Sequence, residues 1–166
     1  MTVLHGSFEL PFPLRVPPPR AFAAFADPAL RTRWFRLPGR RGAYELDFRV
    51  GGGEVAGSTF APAGADEQLQ YRSRFLDIVA DERIVLTYEF SLDGRRRWAS
   101  LVTVEIATDA EGCELTWTEQ YAFLVVTGDG RQDVAHLQGG ARLQLNGLAA
   151  VVEPSVEGRP PPAGRA

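Results

Sequence analysis

Lysine is absent from this chain: all 18 of its basic residues are arginine. The absence excludes a Schiff-base lysine and any lysine nucleophile. It also excludes a P-loop, because that motif needs a lysine on the nucleotide phosphates. A coding bias in the source is the favoured explanation of the absence. The formal net charge is -3, so no overall basic field attracts nucleic acid or an anionic membrane.

Cysteine and histidine are nearly absent as well. The single cysteine, Cys113, rules out a disulfide within the chain. His5 and His136 are the two histidines, too few to build a Cys/His metal site with one thiol. We therefore expect no metal and no other cofactor. His136 has no serine or aspartate at a recognisable spacing, which favours a capping or solvent-facing role over catalysis.

Long apolar runs are missing too. No segment approaches the ~20 apolar residues of a membrane-spanning helix. Pro11 and Pro13 interrupt the N-terminal stretch where a signal peptide needs continuity. We expect a cytoplasmic protein without membrane insertion. Its 166 residues are enough for one domain with a substantial core. That domain is expected over residues 1–153, with a flexible Pro/Gly-rich tail over residues 154–166.

Alternation of apolar and polar residues predicts seven β-strands. The first begins at Leu4 and is expected to end near Pro11. The others are predicted at about Tyr44–Val50, Glu54–Ala61, Gln68–Val79, Arg83–Leu92, Arg95–Ala107 and Cys113–Leu124. Their connections carry turn residues, such as Asp93-Gly94, and are too short for crossover helices. The sheet is therefore predicted to be an antiparallel meander.

Three helices complete the predicted order of elements. A short helix is predicted to follow the three prolines at 17–19, and Asp27-Pro28 starts a second that ends near Trp34. A long helix is predicted from Asp133 to Glu153, with one apolar face. Its three glycines, Gly139, Gly140 and Gly147, each cost roughly 1 kcal/mol relative to alanine. That cost indicates close approach to the sheet, or room beside it.

The elements together predict an α+β fold. A curved antiparallel sheet needs one face covered, and the last helix is the element long enough to cover it. Curvature then leaves a space between sheet and helix, which the two short helices close at one end.

This arrangement resembles the START-like, helix-grip superfamily, also called SRPBCC. Within it, the chain is most similar to the AHSA family, named for an activator of the heat-shock-protein-90 ATPase. The matching segments are those at 18–28, 33–35, 47–52, 75–85, 100–104 and 115–120, in unbroken order. The resemblance implies a cavity, but relatives range from lipid carriers to polyketide cyclases, so fold alone does not choose an activity. Many relatives carry a tryptophan where this chain has Gly139-Gly140-Ala141, a departure that opens space.

Side chains two residues apart in a β-strand lie on the same face of the sheet. This repeat places one acid, Glu119, among apolar residues on the inner face of the last strand. The candidate cavity residues are Trp34, Tyr71, Phe75, Leu86, Tyr88, Trp98, Ser100, Val102, Trp117, Glu119, Tyr121, Leu137, Ala141 and Leu145. A mostly aromatic and aliphatic surface with few polar groups is typical of a small-molecule pocket. A structural role for Glu119, bonded to a backbone amide or to Arg72 or Arg74, is favoured over proton transfer.

The favoured function is binding of a small hydrophobic or aromatic molecule, without catalysis. One alternative is a cyclase, dehydratase or hydrolase of aromatic or polyketide-like compounds that uses Glu119 with Tyr71, Tyr88 or Tyr121. Another is a chaperone-associated or stress-response interaction protein, although the chain lacks the extra N-terminal domain of the eukaryotic chaperone activator. A cavity filled by side chains would favour this last role. Whether the protein forms a homodimer stays an open question. No nucleic-acid partner is expected, because the run Arg95-Arg96-Arg97 fits a solvated hairpin end.

Overall fold

Seven strands and three helices account for the regular structure of residues 2–154, the part of the chain that this computed structural model describes. In chain order they are β1 (Leu4–Leu14), α1 (Pro18–Ala26), α2 (Pro28–Trp34), β2 (Arg40–Leu46), β3 (Glu54–Phe60), β4 (Glu67–Val79), β5 (Arg83–Leu92), β6 (Arg95–Thr108), β7 (Cys113–Phe123) and α3 (Arg131–Val152). The predicted α+β fold is confirmed. The predicted tail, apart from Pro154, lies outside the described residues.

The strands form one antiparallel sheet in the order β1-β7-β6-β5-β4-β3-β2. Strands β2 to β7 are the predicted meander, and β1 adds to the outer side of β7. The Asp93-Gly94 hairpin is confirmed: both residues have positive φ, 50° and 74°, which suits the right-handed twist of the two strands. None of the helices in residues 2–154 is both long and apolar enough to cross a membrane.

Strand β1 is longer than predicted. It continues past Pro11 and Pro13 to Leu14, and its register with β7 is unbroken throughout. The prediction applied the rule that proline ends a strand. That rule is relaxed at a sheet edge, because an edge strand has one side whose backbone groups need no partner. Strand β1 pairs with β7 alone, so it is such an edge.

Strand β2 also differs from its prediction. It covers Arg40–Leu46 instead of Tyr44–Val50, because the chain turns after Asp47. The glycines at 51–53 lie against β4: Gly51 N donates to Phe75 O and Phe75 N donates to Gly52 O, both at 2.9 Å. A side chain at Gly53 would collide with the carbonyl oxygen of Ser73. The glycine run is therefore a tight turn between β2 and β3.

The two short helices are joined to each other and to the core. Asp27 caps α2, since its Oδ1 accepts from Ala29 N at 2.8 Å, and Pro28 occupies the first turn. Trp34, at the end of α2, donates through Nε1 to Ala24 O of α1 at 2.8 Å. This bond fixes the angle between the helices and buries the indole ring.

Helix α3 lies across the concave face of the sheet. Its buried side chains are Leu137, Ala141, Leu145, Leu148 and Val152. The predicted room beside the helix is present at Gly139 and Gly140, but the close approach at Gly147 is to α2 instead of the predicted approach to the sheet. A Cβ at Gly147 would lie 3.5 Å from Cβ of Trp34, so the helix passes close to α2 there. Around Gly139 and Gly140, no described atom lies within 4 Å of such a Cβ, so the helix has room beside it.

Gly139 offers a test of this packing. Gly139→Ala should raise the free energy of unfolding by roughly 1 kcal/mol, because alanine is the better helix former and meets no neighbour. Gly53→Ala is the contrasting variant and should destabilise the protein, since its methyl group would meet backbone. Urea unfolding of both proteins measures the two changes. A loss of stability in Gly139→Ala would contradict the open space described here.

Candidate functional site

A cavity of about 540 Å³ lies between the concave face of the sheet, helix α3 and the end of α2. Its inner wall is aromatic and aliphatic; the side chains from the sheet are Tyr71, Leu86, Tyr88, Phe90, Trp98, Trp117 and Glu119. Its mouth is bordered by exposed residues of two segments: Arg36 and Pro38 after α2, and His136, Gly140 and Leu143 on α3. A molecule can therefore reach the inner wall from solvent through this opening.

Eight of the fourteen predicted cavity residues line it: Tyr71, Leu86, Tyr88, Trp98, Trp117, Glu119, Leu137 and Ala141. The other six, Trp34, Phe75, Ser100, Val102, Tyr121 and Leu145, do not. Val102 and Leu145 are fully buried in the core. Tyr121 packs over β1 against Phe8, and Phe75 lies under Phe48 with 4.9 Å between ring centroids.

The remaining two are close to the cavity without lining it. Trp34 is turned against Phe25, with ring centroids 5.0 Å apart, and is held by its bond to α1. Ser100 is buried two residue pairs along the sheet from Glu119, because Ser100 pairs with Tyr121 and Val102 pairs with Glu119. The two-residue repeat of a β-strand identified which face of the sheet each residue occupies. Which residues on that face reach the cavity depends on where the helices pack.

Three lining residues at the short helices, and the residues of the mouth, were not predicted from the sequence. Phe25, Arg31 and Phe35 line the cavity from α1 and α2, and His136 lies at its mouth, where a capping or solvent role was expected. One signal was present: Arg31, Trp34 and Phe35 have helical spacing and share a face. Nothing in the pattern, however, distinguishes a buried arginine from the other arginines of the chain.

Glu119 is the polar centre of the inner wall. It is 1% exposed and accepts two side-chain hydrogen bonds: from Tyr88 Oη to Oε1 at 2.5 Å and from Trp117 Nε1 to Oε2 at 3.0 Å. Trp98 Nε1 donates in turn to Tyr88 Oη at 3.1 Å. The expected backbone or arginine partners are not used, because Arg72 and Arg74 lie exposed on the opposite face of the sheet.

These surroundings shift two protonation equilibria in the same direction. Burial raises the pKa of Glu119, and the nearby Ser100 hydroxyl together with the hydrogen bonds from Tyr88 and Trp117 opposes that rise without cancelling it. The Ser100 hydroxyl contributes through proximity, since it makes no hydrogen bond of regular geometry among the described residues. Burial, reinforced by the Glu119 charge, raises the pKa of Tyr88 well above 10. Tyr88 therefore stays protonated and remains a donor.

A buried ion pair forms a second polar group at the cavity. Arg31 donates to Glu54 twice, from Nε to Oε1 at 2.9 Å and from Nη2 to Oε2 at 2.7 Å. Tyr44 Oη adds a donor to Oε1 at 2.7 Å. Burial disfavours the charge on Arg31, but the adjacent Glu54 outweighs that penalty and raises the pKa of the guanidinium. The pair joins α2 to β3.

Aromatic rings hold the Arg31 guanidinium in place. Its central carbon lies 4.1 Å from the ring centroid of Phe35, 4.4 Å from that of Trp34 and 5.6 Å from that of Phe25. Such contacts attract a cation and exclude water from it. Glu54 uses two of the three guanidinium nitrogens, and the third, Nη1, is buried without a hydrogen-bond partner in the described part of the chain.

The fold is that of a known family. The family described as Activator of Hsp90 ATPase homolog 1-like protein matches residues 15–153. The chain belongs to this family. No curated protein matches it.

Solved structures of bacterial proteins share its architecture. A Rhizobium loti protein is similar at 37% identity and TM-score 0.78, over 90% of this chain and 99% of its own. A Rhizobium leguminosarum protein is similar at 29% identity and TM-score 0.78, over 91% and 96% of the two chains. A Chromobacterium violaceum protein is similar at 25% identity and TM-score 0.69, over 90% and 99%.

The raised pKa of Glu119 predicts how stability depends on pH. Above 4.5, its ordinary value, the unfolded chain loses a proton that the folded chain still holds. The stabilising contribution is therefore complete below 4.5 and is lost as pH rises through the folded pKa. The free energy of unfolding of the wild type, minus that of Glu119→Gln, should be largest at acid pH and shrink toward neutrality.

Urea unfolding at a series of pH values measures this difference. Glu114→Gln, an exposed position on the same strand, is the matched control. A difference between wild type and Glu119→Gln that stays constant with pH would contradict the assignment.

Proposed function

We propose that this AHSA-family chain binds a small hydrophobic or aromatic molecule in the cavity between sheet and α3. The observation that carries the proposal is the cavity itself: about 540 Å³, walled by aromatic and aliphatic side chains, and open at one end. Ligand pockets commonly have volumes of roughly 300–1,000 Å³ and a mostly apolar lining with few polar groups. Relatives of the superfamily that carry lipids or hormones use the same fold, which supports the proposal as analogy.

The glycines of α3 support it independently. Gly140 borders the mouth, and a Cβ there would meet no described atom within 4 Å. If stability alone were selected, alanine would be favoured at this position, because it stabilises a helix more than glycine does. Retaining glycine keeps the entrance wide. The open cavity also weighs against the chaperone-associated alternative, which a cavity filled by side chains would have favoured.

Native mass spectrometry of the protein purified from its own source is the direct test. A retained small apolar molecule, released on unfolding, is the expected result. A thermal-shift screen against a broad apolar library gives the second measurement, because a ligand that binds the folded state raises the melting temperature. No retained molecule together with no shift from any library member would refute the proposal.

A cavity-filling variant localises binding. Ala141 is buried and lines the cavity from α3, so Ala141→Leu should fill part of it. We expect it to weaken binding of the neutral fluorescent probe phenylnaphthylamine by about tenfold, or ~1.4 kcal/mol. Ala150→Leu makes the same chemical change at an exposed position of the same helix and should leave the affinity unchanged. Equal affinities in the two variants would place the probe elsewhere.

Catalysis is the second candidate function, and the Tyr88–Glu119 contact is the observation that favours it. A tyrosine donor 2.5 Å from a buried carboxyl, both lining one cavity, is an arrangement that can move a proton. Tyr71 lines the same cavity, whereas Tyr121, the third candidate partner, does not.

Glu119→Gln separates the two functions. If the protein only binds its ligand, the molecule recovered from the wild type is chemically unchanged. The variant is then expected to bind that molecule about tenfold more weakly, and its free energy of unfolding should change less than its affinity. Mass spectrometry after prolonged incubation and calorimetric titration measure these two properties. A new product formed by the wild type, and not by Glu119→Gln, would establish catalysis instead.

A further inference from the structure

The unpartnered nitrogen of Arg31 identifies one feature of the ligand. We propose that the bound molecule carries an uncharged oxygen acceptor, such as the carbonyl of an aryl ketone, quinone or ester, which accepts a hydrogen bond from Arg31 Nη1. The inference rests on the proposed function and names the ligand chemistry of that cavity. Its basis is a buried donor, without a partner among the described residues, on a side chain that lines the cavity.

The guanidinium has five N–H donors on three nitrogens, and two of these nitrogens have an acceptor in the described part of the protein. Nε and Nη2 donate to the two oxygens of Glu54. The donors on Nη1 remain, in a side chain only 6% exposed. Buried polar groups in folded proteins are almost always hydrogen-bonded. A ligand acceptor supplies the partner that the described protein residues do not.

The geometry requires the acceptor to come to Arg31. Three rings, those of Phe25, Trp34 and Phe35, surround the guanidinium, and Glu54 holds it in a two-bond fork. The side chain cannot turn toward solvent without breaking both interactions. A donor fixed in advance loses little conformational freedom on binding.

Charge balance favours a neutral acceptor over a carboxylate. The single positive charge of Arg31 is already matched by Glu54, whose carboxylate also accepts from Tyr44. A ligand anion at Arg31 would bring a second negative charge to that buried cation, since Arg36, the other arginine of the lining, lies exposed at the mouth; Glu119 lies on the same cavity. Burying a charge without its own partner is strongly unfavourable. A carbonyl oxygen accepts the bond without adding charge.

The rings beside Arg31 favour an aryl carbonyl. Phe35 packs edge-to-face on Tyr71 with centroids 4.8 Å apart, and Tyr71 lies 5.0 Å from Tyr88. All three line the cavity, so they form a continuous aromatic wall that starts next to the guanidinium. A flat ring stacked against this wall would lie beside the Arg31 side chain, which lines the same cavity.

Three probes of similar shape test the inference: acetylnaphthalene, isopropenylnaphthalene and naphthoate, all substituted at the same ring position. They carry a carbonyl, a carbon–carbon double bond and a carboxylate in turn. Isothermal titration calorimetry gives their affinities for the full chain. We expect the ketone to bind about tenfold more tightly than the alkene, since the alkene leaves Nη1 unpaired. The carboxylate should bind more weakly than the ketone.

A double variant removes the donor without leaving a buried charge. Arg31→Met with Glu54→Gln replaces the pair together, because loss of the arginine alone would strand the glutamate. The glutamine retains an oxygen for Tyr44. In this variant the preference for ketone over alkene should disappear, because the donor that distinguishes the two probes is gone. Circular dichroism establishes that the variant is folded.

Infrared spectroscopy of the wild type gives a readout that does not depend on the variant folding. The carbonyl band of bound acetylnaphthalene should move to lower frequency than in hydrocarbon solvent, as a hydrogen bond requires. Equal affinity for ketone and alkene, an unshifted band, or tightest binding of naphthoate would each overturn the inference and leave the proposed function standing. Failure of all three probes, together with the phenylnaphthylamine probe, would count against the proposed function itself.

Discussion

The fold of this protein depends on covering a wide sheet with one helix. Seven strands at ~4.8 Å spacing, each up to 14 residues long, present a face far broader than a single helix of ~10 Å diameter. Helix α3 covers the part nearest its own axis, and α1 and α2 cover one end. The uncovered remainder is the cavity. The space is thus a consequence of architecture, and the chain's contribution is to line it with aromatic rings and to place a glycine, Gly140, at its mouth.

The two polar groups at the cavity have different structural origins. Glu119 is bonded within the sheet, to Tyr88 on β5 and Trp117 on its own strand. Arg31 belongs to α2 and pairs with Glu54 of β3, so it also holds the short helices to the sheet. The first can accept from a ligand or exchange a proton with it, whereas the second has a donor to offer. A ligand lying between Glu119 and Arg31 would contact both side chains.

Much of this could be predicted from the sequence, for identifiable reasons. Alternation assigned Glu119 to the inner face, because strand periodicity is a local property. Its partners could not be predicted, because Tyr88 lies two strands away across β6, and the contact depends on how far a tyrosine reaches over Ser100. Arg31 escaped notice because burial of an arginine requires Glu54 and three rings that only the folded chain brings together. The error at β2 had the same cause: the turn at Gly53 is fixed by contact with β4.

The two prolines of β1 have a consequence for how copies of the protein meet. Pro11 and Pro13 are two residues apart, and the register with β7 continues past both, so their nitrogens belong on the open side of the strand. That side lacks two N–H donors that another strand would need in order to pair. The β1 edge is therefore a poor template for extending the sheet from one molecule into the next, and association of two copies must use other surfaces.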